Sequence, residues 1–191
     1  MTSQTPTKSN LTALLASTSG GNATLVRCPT DMLQRLRNLH EAEWITLFTP
    51  VVPHPPSTAL ERNMDPFEPL GRALARQVRH VPYRLDYGMT ETHVDFIPSA
   101  GAILIVICTT ENIMSHNSRA FEQQRKFARD IQKKVEDKSG RSITPMILLL
   151  CTNGANKQTH QDGLSEFPAL LTCTDYNTLA LSNAVRVLFD N

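Results

Sequence analysis

Two carboxylates bracket the most apolar stretch of the chain, Asp95 before it and Glu111 just after it. An Asp on one strand followed by a Glu-x-Lys pair on the next is a pattern that holds Mg²⁺ and polarises a water molecule. Here Ile105, Val106 and Ile107 occupy the positions where the pair would fall, and aliphatic side chains bind no metal. Glu136-Asp137-Lys138 matches Glu-x-Lys in letter only, because it falls at the end of a helical pattern and not on a strand. The histidines (His40, His54, His80, His93, His116, His160) show no His-x-x-x-His or Glu-flanked spacing of the kind that ligates zinc. There is no Gly-x-Ser-x-Gly elbow, phosphate loop or dinucleotide fingerprint, and Asn153-Gly154-Ala155-Asn156 lacks the Lys-Ser/Thr that a phosphate loop requires. The expectation is a chain with no catalytic residues, no metal and no cofactor.

The second chemical signal is a row of cations. Arg125, Arg129 and Lys133 recur every four residues, which on a helix makes one stripe, and Arg119, Lys126, Lys134, Lys138 and Arg141 surround it. From residue 118 to 141 there are eight basic and four acidic residues, a local excess in a chain whose formal net charge is only +1. Intrahelical pairs such as Glu122–Lys126 and Asp130–Lys134 would leave the central stripe uncompensated. Arg119, Arg125, Lys126, Arg129 and Lys133 are therefore the residues expected to meet DNA phosphates, the competing expectation being a plain solvated face.

These residues must be positioned by a fold. The 191 residues suffice for one domain with a sizeable core, and a 40% hydrophobic content is that of a globular chain. Residues 1–24 hold ten Ser or Thr and predict a disordered tail, assigned to 1–29. A helix is expected from Thr30 or Asp31 to about Glu43, and an apolar strand over Trp44–Val52. Six of the twelve prolines fall from Pro50 to Pro69, so 30–69 reads as a helix followed by an extended segment outside the main domain of 70–191. Strands are expected over Ala75–Leu85, Thr92–Ile97, Ile103–Thr109, Met146–Cys151 and Leu170–Thr172. Helices are expected over Ser118–Asp137 and Tyr176–Leu188, with a short one near Leu164. The alternation predicts an α/β fold: a mostly parallel sheet with flanking helices, its first two strands forming an antiparallel edge hairpin.

Cys28, Cys108, Cys151 and Cys173 form no Cys-x-x-Cys pair and read as buried free thiols suited to a reducing compartment. No apolar run reaches the roughly 18 residues of a membrane span, and the N-terminus has no signal pattern, so no membrane association is expected.

The residues around Asp95 also carry a family resemblance. Asp95-Phe96-Ile97 through Glu111-Asn112-Ile113 aligns without a gap on the XPF-type nuclease motif, in which Gly-Asp is followed by Glu-Arg-Lys and Asp; Asp95 is retained and Glu111 replaces the last Asp. Arg79-His80-Val81-Pro82-Tyr83 resembles the Arg-Asn-Val-Pro-aromatic segment of the non-catalytic subunit that pairs with XPF in excision repair, itself without the Glu-Arg-Lys triplet. The resemblance spans roughly residues 70 to 189. It implies a restriction-endonuclease-like fold that has lost catalysis, binds branched or junction DNA, forms a heterodimer with an XPF-type partner and resides in the nucleus. Spo-sixteen-type meiotic factors and Fanconi-associated pseudonucleases share the same inactive fold, and the sequence resembles them equally.

Arg79, Tyr83 and Phe96 are the partner-binding residues it implies. Leu181 and Val185 join them because the apolar positions of the closing helix spread too widely for one core face. The relative's C-terminal helix-hairpin-helix pair has no counterpart up to Asn191, so pairing is expected to rely on the nuclease-like domain. Two alternatives stand beside this expectation. One is an active metal-dependent nuclease built from Asp95, Glu111 and the basic helix; the other is a protein–protein adaptor with no nucleic-acid role.

Overall fold

The structure, a computed structural model, describes residues 23–56, 58–138 and 144–189. Six strands form one sheet: β1 (Thr24–Arg27), β2 (Trp44–Pro50), β3 (Val78–Tyr83), β4 (Ala100–Cys108), β5 (Met146–Cys151) and β6 (Leu170–Cys173). Their order is β1-β6-β5-β4-β2-β3, with β1 antiparallel to β6 and every other pairing parallel. Among the described residues, six helices lie between successive strands and a seventh follows β6: α1 (Thr30–Arg37), α2 (Glu68–Ala73), α3 (Glu91–Phe96), α4 (Glu111–His116), α5 (Ala120–Lys138), α6 (Lys157–Asp162) and α7 (Thr178–Phe189).

β4 and β5 are continuous apolar runs because helices cover both of their faces. Even-numbered β4 side chains (Ala102, Leu104, Val106, Cys108) join Leu36, Leu70, Leu74, Leu181, Val185 and Leu188 in the core under α1, α2 and α7. Odd-numbered ones (Ile103, Ile105, Ile107) join Phe48, Tyr83, Phe121, Phe127 and Ile131 under α3 and α5. The centre of that second core is aromatic. The Tyr83 and Phe127 rings stack at 3.8 Å between centroids, and Phe48 and His93 meet Phe127 edge-on at 5.6 and 5.1 Å. The α5 positions at helical spacing (Phe121, Gln124, Ala128, Ile131, Val135) are all buried, as their periodicity requires.

The α/β class and the largely parallel sheet stand; the hairpin does not. Thr92–Ile97 is not a strand, since Glu91–Phe96 is helix α3 and the chain crosses through it from β3 to β4. Alternating Thr92, Val94 and Phe96 suggested a strand, but local capping prevails. Thr90 donates its backbone N–H to His93 Nδ1 at 3.0 Å, the reciprocal bond of a capping box with His where Glu or Gln is usual. His93 and Ile97, one turn apart, then face the core. The antiparallel edge pair is instead β1 on β6, at the far side of the sheet from β3.

The domain limits shift accordingly. β2 lies between β3 and β4, so the boundary expected at residue 70 would cut through the middle of a single sheet. Thr24–Arg27, assigned to the tail, is a sheet strand; residues 1–22 lie outside the described residues. α1 ends at Arg37, short of Glu43. Pro82 is tolerated inside β3 for a register reason. Ile45 N–H donates to Gln77 O and Val51 N–H to Tyr83 O, so odd-numbered β3 residues bond β2 and Pro82 points its missing N–H to the open edge.

Candidate ligand crevice

Counting only the parallel strands in chain order, the sheet runs second, first, third, fourth, fifth. The chain leaves β2 to one side, forms β3, and returns to the other side as β4. Open α/β sheets bind ligands where that reversal occurs, outside the carboxyl ends of the strands. A crevice of about 460 Å³ lies there, within the usual range of a small-molecule site. Its walls come from the exit of β2 (Val51, Val52, Pro53), the exit of β3 (Arg84, Leu85, Asp86), α4 (Ile113, His116), and Asn117 and Gln123 at the start of α5.

The polar groups come in planar pairs. Arg84 donates from Nε to Asp86 Oδ1 at 3.2 Å and from Nη2 to Oδ2 at 2.9 Å, a two-pronged pair at the solvent-exposed rim. These hydrogen bonds hold the Asp86 carboxyl below its ordinary range and push the guanidinium up, so both stay charged near neutrality. The same guanidinium lies 4.5 Å from the ring centroid of Tyr87, which is 69% exposed. Across the crevice, Asn117 Nδ2 donates to Gln123 Oε1 at 2.8 Å, leaving the Gln123 amide hydrogens available. His116 Nδ1 sits 2.7 Å from the carbonyl of Asn112. That nitrogen must carry the hydrogen, which leaves Nε2 as an acceptor in the neutral ring.

A second layer fixes these walls. Thr110 donates to Asn112 Oδ1 at 2.6 Å, Asn112 Nδ2 to the Tyr176 hydroxyl at 2.8 Å, and Tyr176 to the carbonyl of Pro53 at 2.8 Å. This chain joins the segment after β4, the turn before α7 and the loop after β2, and desolvation pushes the Tyr176 phenol pKa up. Gln124 accepts the Cys108 N–H at 2.7 Å and returns a hydrogen bond to its carbonyl at 2.8 Å, so α5 closes the end of β4. Beside it, Cys108, Cys151 and Cys173 end three adjacent strands as buried free thiols, with Cys151 and Cys173 Sγ 3.4 Å apart. Burial pushes the Cys151 thiol well up, away from the reactive thiolate.

The residues singled out by sequence are scattered. Asp95 lies exposed on α3, and Glu111 opens α4 at the opposite end of the sheet. Glu111 N–H donates to Asn153 Oδ1 at 2.8 Å. Its carboxylate also packs so closely on Gly154 (φ +75°) that a Cβ there would overlap it. Among the described residues, no group of three His, Cys, Asp or Glu is arranged to hold a metal. Arg125 and Arg129 are both held by Glu166, at 3.8 and 2.7 Å, and Arg125 also meets Glu122 at 3.5 Å. Lys126 pairs with Asp130 at 2.7 Å. The stripe that sequence left uncompensated is thus partly neutralised from the α6–β6 loop, a partner no helical spacing could reveal. Arg119 and Lys133 are exposed, with no carboxylate within ion-pair range among the described residues.

Of the residues assigned to a partner, three have no surface to offer one. Tyr83 is fully buried and donates its hydroxyl to Val106 O at 2.7 Å. Leu181 and Val185 pack into the core with α2, β1 and β6; the wide apolar spread of α7 serves several neighbours at once, and Leu179 alone of its large apolar side chains is exposed. Arg79 and Phe96, by contrast, meet at the surface. Sequence reasoning missed the crevice residues because their polar types are unremarkable and lie in four separate segments. The available signal was their place just after consecutive apolar strands.

Among the described residues, no helix is long and apolar enough to cross a membrane. No family model matches the chain, and no curated protein matches it. Solved structures do. A fungal multi-domain glycoside hydrolase family 3 β-N-acetylglucosaminidase, described with a GCN5-related glucosamine N-acetyltransferase region, aligns with a TM-score of 0.56 and 14% identity over 95% of this chain. A Listeria innocua β-glucosidase, solved in complex with isofagomine, aligns with a TM-score of 0.54 and 17% identity over 95%. A glycoside hydrolase family 3 β-N-acetylglucosaminidase from Paenibacillus sp. aligns with a TM-score of 0.51 and 14% identity over 88%. The chain spans 17%, 25% and 28% of these proteins respectively. At such identities the likeness is one of fold.

Proposed function

We propose that the chain is a non-catalytic α/β binding module whose switch-point crevice takes a small saccharide. The observation that carries this is the lining itself: planar hydrogen-bonding groups (Arg84, Asp86, Asn117, Gln123, His116) set around apolar Val51, Pro53, Leu85 and Ile113. A pyranose presents the matching surface, a rim of hydroxyls that both donate and accept around faces of C–H groups, and exposed Tyr87 stands beside the rim to stack on such a face. The three proteins named above are a β-glucosidase and two β-N-acetylglucosaminidases, which supports a sugar ligand over other polar molecules. Binding without hydrolysis follows from charge. Glycosidic cleavage uses two carboxyl groups, one of them protonated. Among the described residues Asp86 is the only carboxylate lining the crevice, and its bond to Arg84 keeps it ionised.

The test is a titration of the ¹⁵N-labelled chain with glucose, N-acetylglucosamine and their β-linked disaccharides. Shifts confined to 51–53, 84–87 and 113–123, and removed by Arg84→Ala or Gln123→Ala, support the proposal. Shifts elsewhere, or none at millimolar sugar, refute it.

A second proposal rests on the exposed cations on and just before α5. In it the chain is an inactive nuclease-like subunit that touches duplex phosphates through Arg119 and Lys133, with Lys126 adjacent, and works beside an XPF-type partner. Its test is DNA binding as a function of salt, taken up below.

A further inference from the structure

The opposite end of the sheet carries a cluster that the crevice does not use. The Arg79 guanidinium carbon lies 5.1 Å from the ring centroid of Trp44 and 4.7 Å from that of Phe96, and Arg79 Nη1 donates to Ser99 Oγ at 2.7 Å. Two rings and a hydroxyl restrict the guanidinium, so little side-chain freedom remains to be lost when a planar acceptor arrives. Among the described residues, no carboxylate pairs with Arg79. Trp44 is 37% exposed beside it. Trp, Arg and an aromatic neighbour are the residue types that dominate the energetics of protein interfaces.

Arg79 also belongs to the terminal strand of the sheet. The β2–β3 register turns the backbone groups of 77, 79, 81 and 83 toward β2. Those of Val78 and His80 therefore face outward, where the sheet has no further strand among the described residues. An extended segment can add to such an edge through main-chain hydrogen bonds, its alternate side chains reading the face beside it. The uncompensated cation calls for a carboxylate on that segment, and the Trp44 and Phe96 rings call for apolar side chains next to it. Exposed Asp95, adjacent to Phe96, disfavours a uniformly charged polyanion such as duplex DNA over a segment bearing a single acid.

We propose that the β3 edge docks an extended segment of a partner protein, with one Asp or Glu on Arg79 and apolar neighbours on Trp44 and Phe96. Trp44 is the chain's only tryptophan, so its fluorescence reports the cluster directly. The probe is a capped octapeptide of Val and Thr with a single central Glu; the comparisons are the same peptide with Gln, inorganic phosphate and duplex DNA. Expected results are a saturable change in Trp44 fluorescence with the Glu peptide and new hydrogen-exchange protection at Val78 and His80. Arg79→Ala, Arg79→Lys and the Gln peptide should each weaken binding about tenfold or more, Lys because it lacks the two-pronged fork. Circular dichroism of the variants separates lost binding from lost structure. Equal binding of the Gln peptide overturns the proposal. So does the absence of a saturable change with folded protein, or a response to phosphate or DNA alone.

Discussion

The two ends of the parallel sheet are built on opposite plans. At the carboxyl end the side chains are locked together. Thr110, Asn112 and Tyr176 pass hydrogen bonds to Pro53, Gln124 closes β4, and the concavity between them is rimmed by groups that satisfy one another. At the amino end the surface is under-satisfied, with an exposed Trp44, an Arg79 that no carboxylate among the described residues meets, and the open edge of β3. Buried polar networks rigidify what they connect, whereas exposed aromatic and cationic groups gain most from a partner. The carboxyl end is thus suited to a small ligand and the amino end to a polypeptide.

If that contrast holds, damage near the carboxyl half should cost folding, and damage at the amino end should cost only binding. Phe127→Ala empties the centre of the aromatic core and is expected to destabilise the chain by about 3–5 kcal/mol, while Trp44→Ala should cost less than about 1 kcal/mol; denaturant melts decide, and equal losses would erase the contrast. Tyr176→Phe removes the hydroxyl joining Asn112 to Pro53. Its expected cost is about 1–2 kcal/mol, together with weaker sugar binding, because the loop of Val51–Pro53 loses its tether.

The cations of α5 set a quantitative limit for the second proposal. Of the five residues expected to meet phosphates, Arg125 and Arg129 are on Glu166 and Lys126 is on Asp130, which leaves Arg119 and Lys133 without a carboxylate among the described residues. Changing both to Ala should flatten the salt dependence of DNA binding by about 1.8 units of log K per log salt, at roughly 0.9 per phosphate. An unchanged slope in folded protein removes α5 from consideration.

The smallest effect concerns pH. His160 is buried against Phe121, ring centroids 4.6 Å apart, and burial pulls its pKa down. The unfolded chain therefore takes up a proton there before the folded one does. Its contribution to stability is fully present above about pH 6.5, the ordinary histidine value, and is lost as pH falls from there toward the lowered folded pKa. Thermal melts of His160→Phe should fall less than wild type between pH 7 and pH 5; parallel declines would contradict this.

Much of the architecture is legible in the sequence because burial writes itself as periodicity. The apolar runs of β4 and β5 and the helical spacing of α5 each state which faces are covered. What stayed hidden was decided by contacts distant in sequence or by very short-range capping. Thr92–Phe96 alternates like a strand, yet Thr90 and His93 nucleate a helix. Trp44–Pro50 reads correctly as β-prone, but nothing local says that it enters the sheet between β3 and β4. The crevice was illegible for the same reason, since it exists only once that strand order brings the exits of β2, β3 and β4 together.

The central claim is that this crevice binds a saccharide. It is tested most directly by the ¹⁵N titration with a β-linked glucose or N-acetylglucosamine disaccharide, read on wild type and Arg84→Ala side by side. The account predicts saturable shifts at 51–53, 84–87 and 113–123 in the wild type, largely lost in the variant. Saturable shifts that survive Arg84→Ala, or that map to the Trp44–Arg79 end of the sheet, would contradict it.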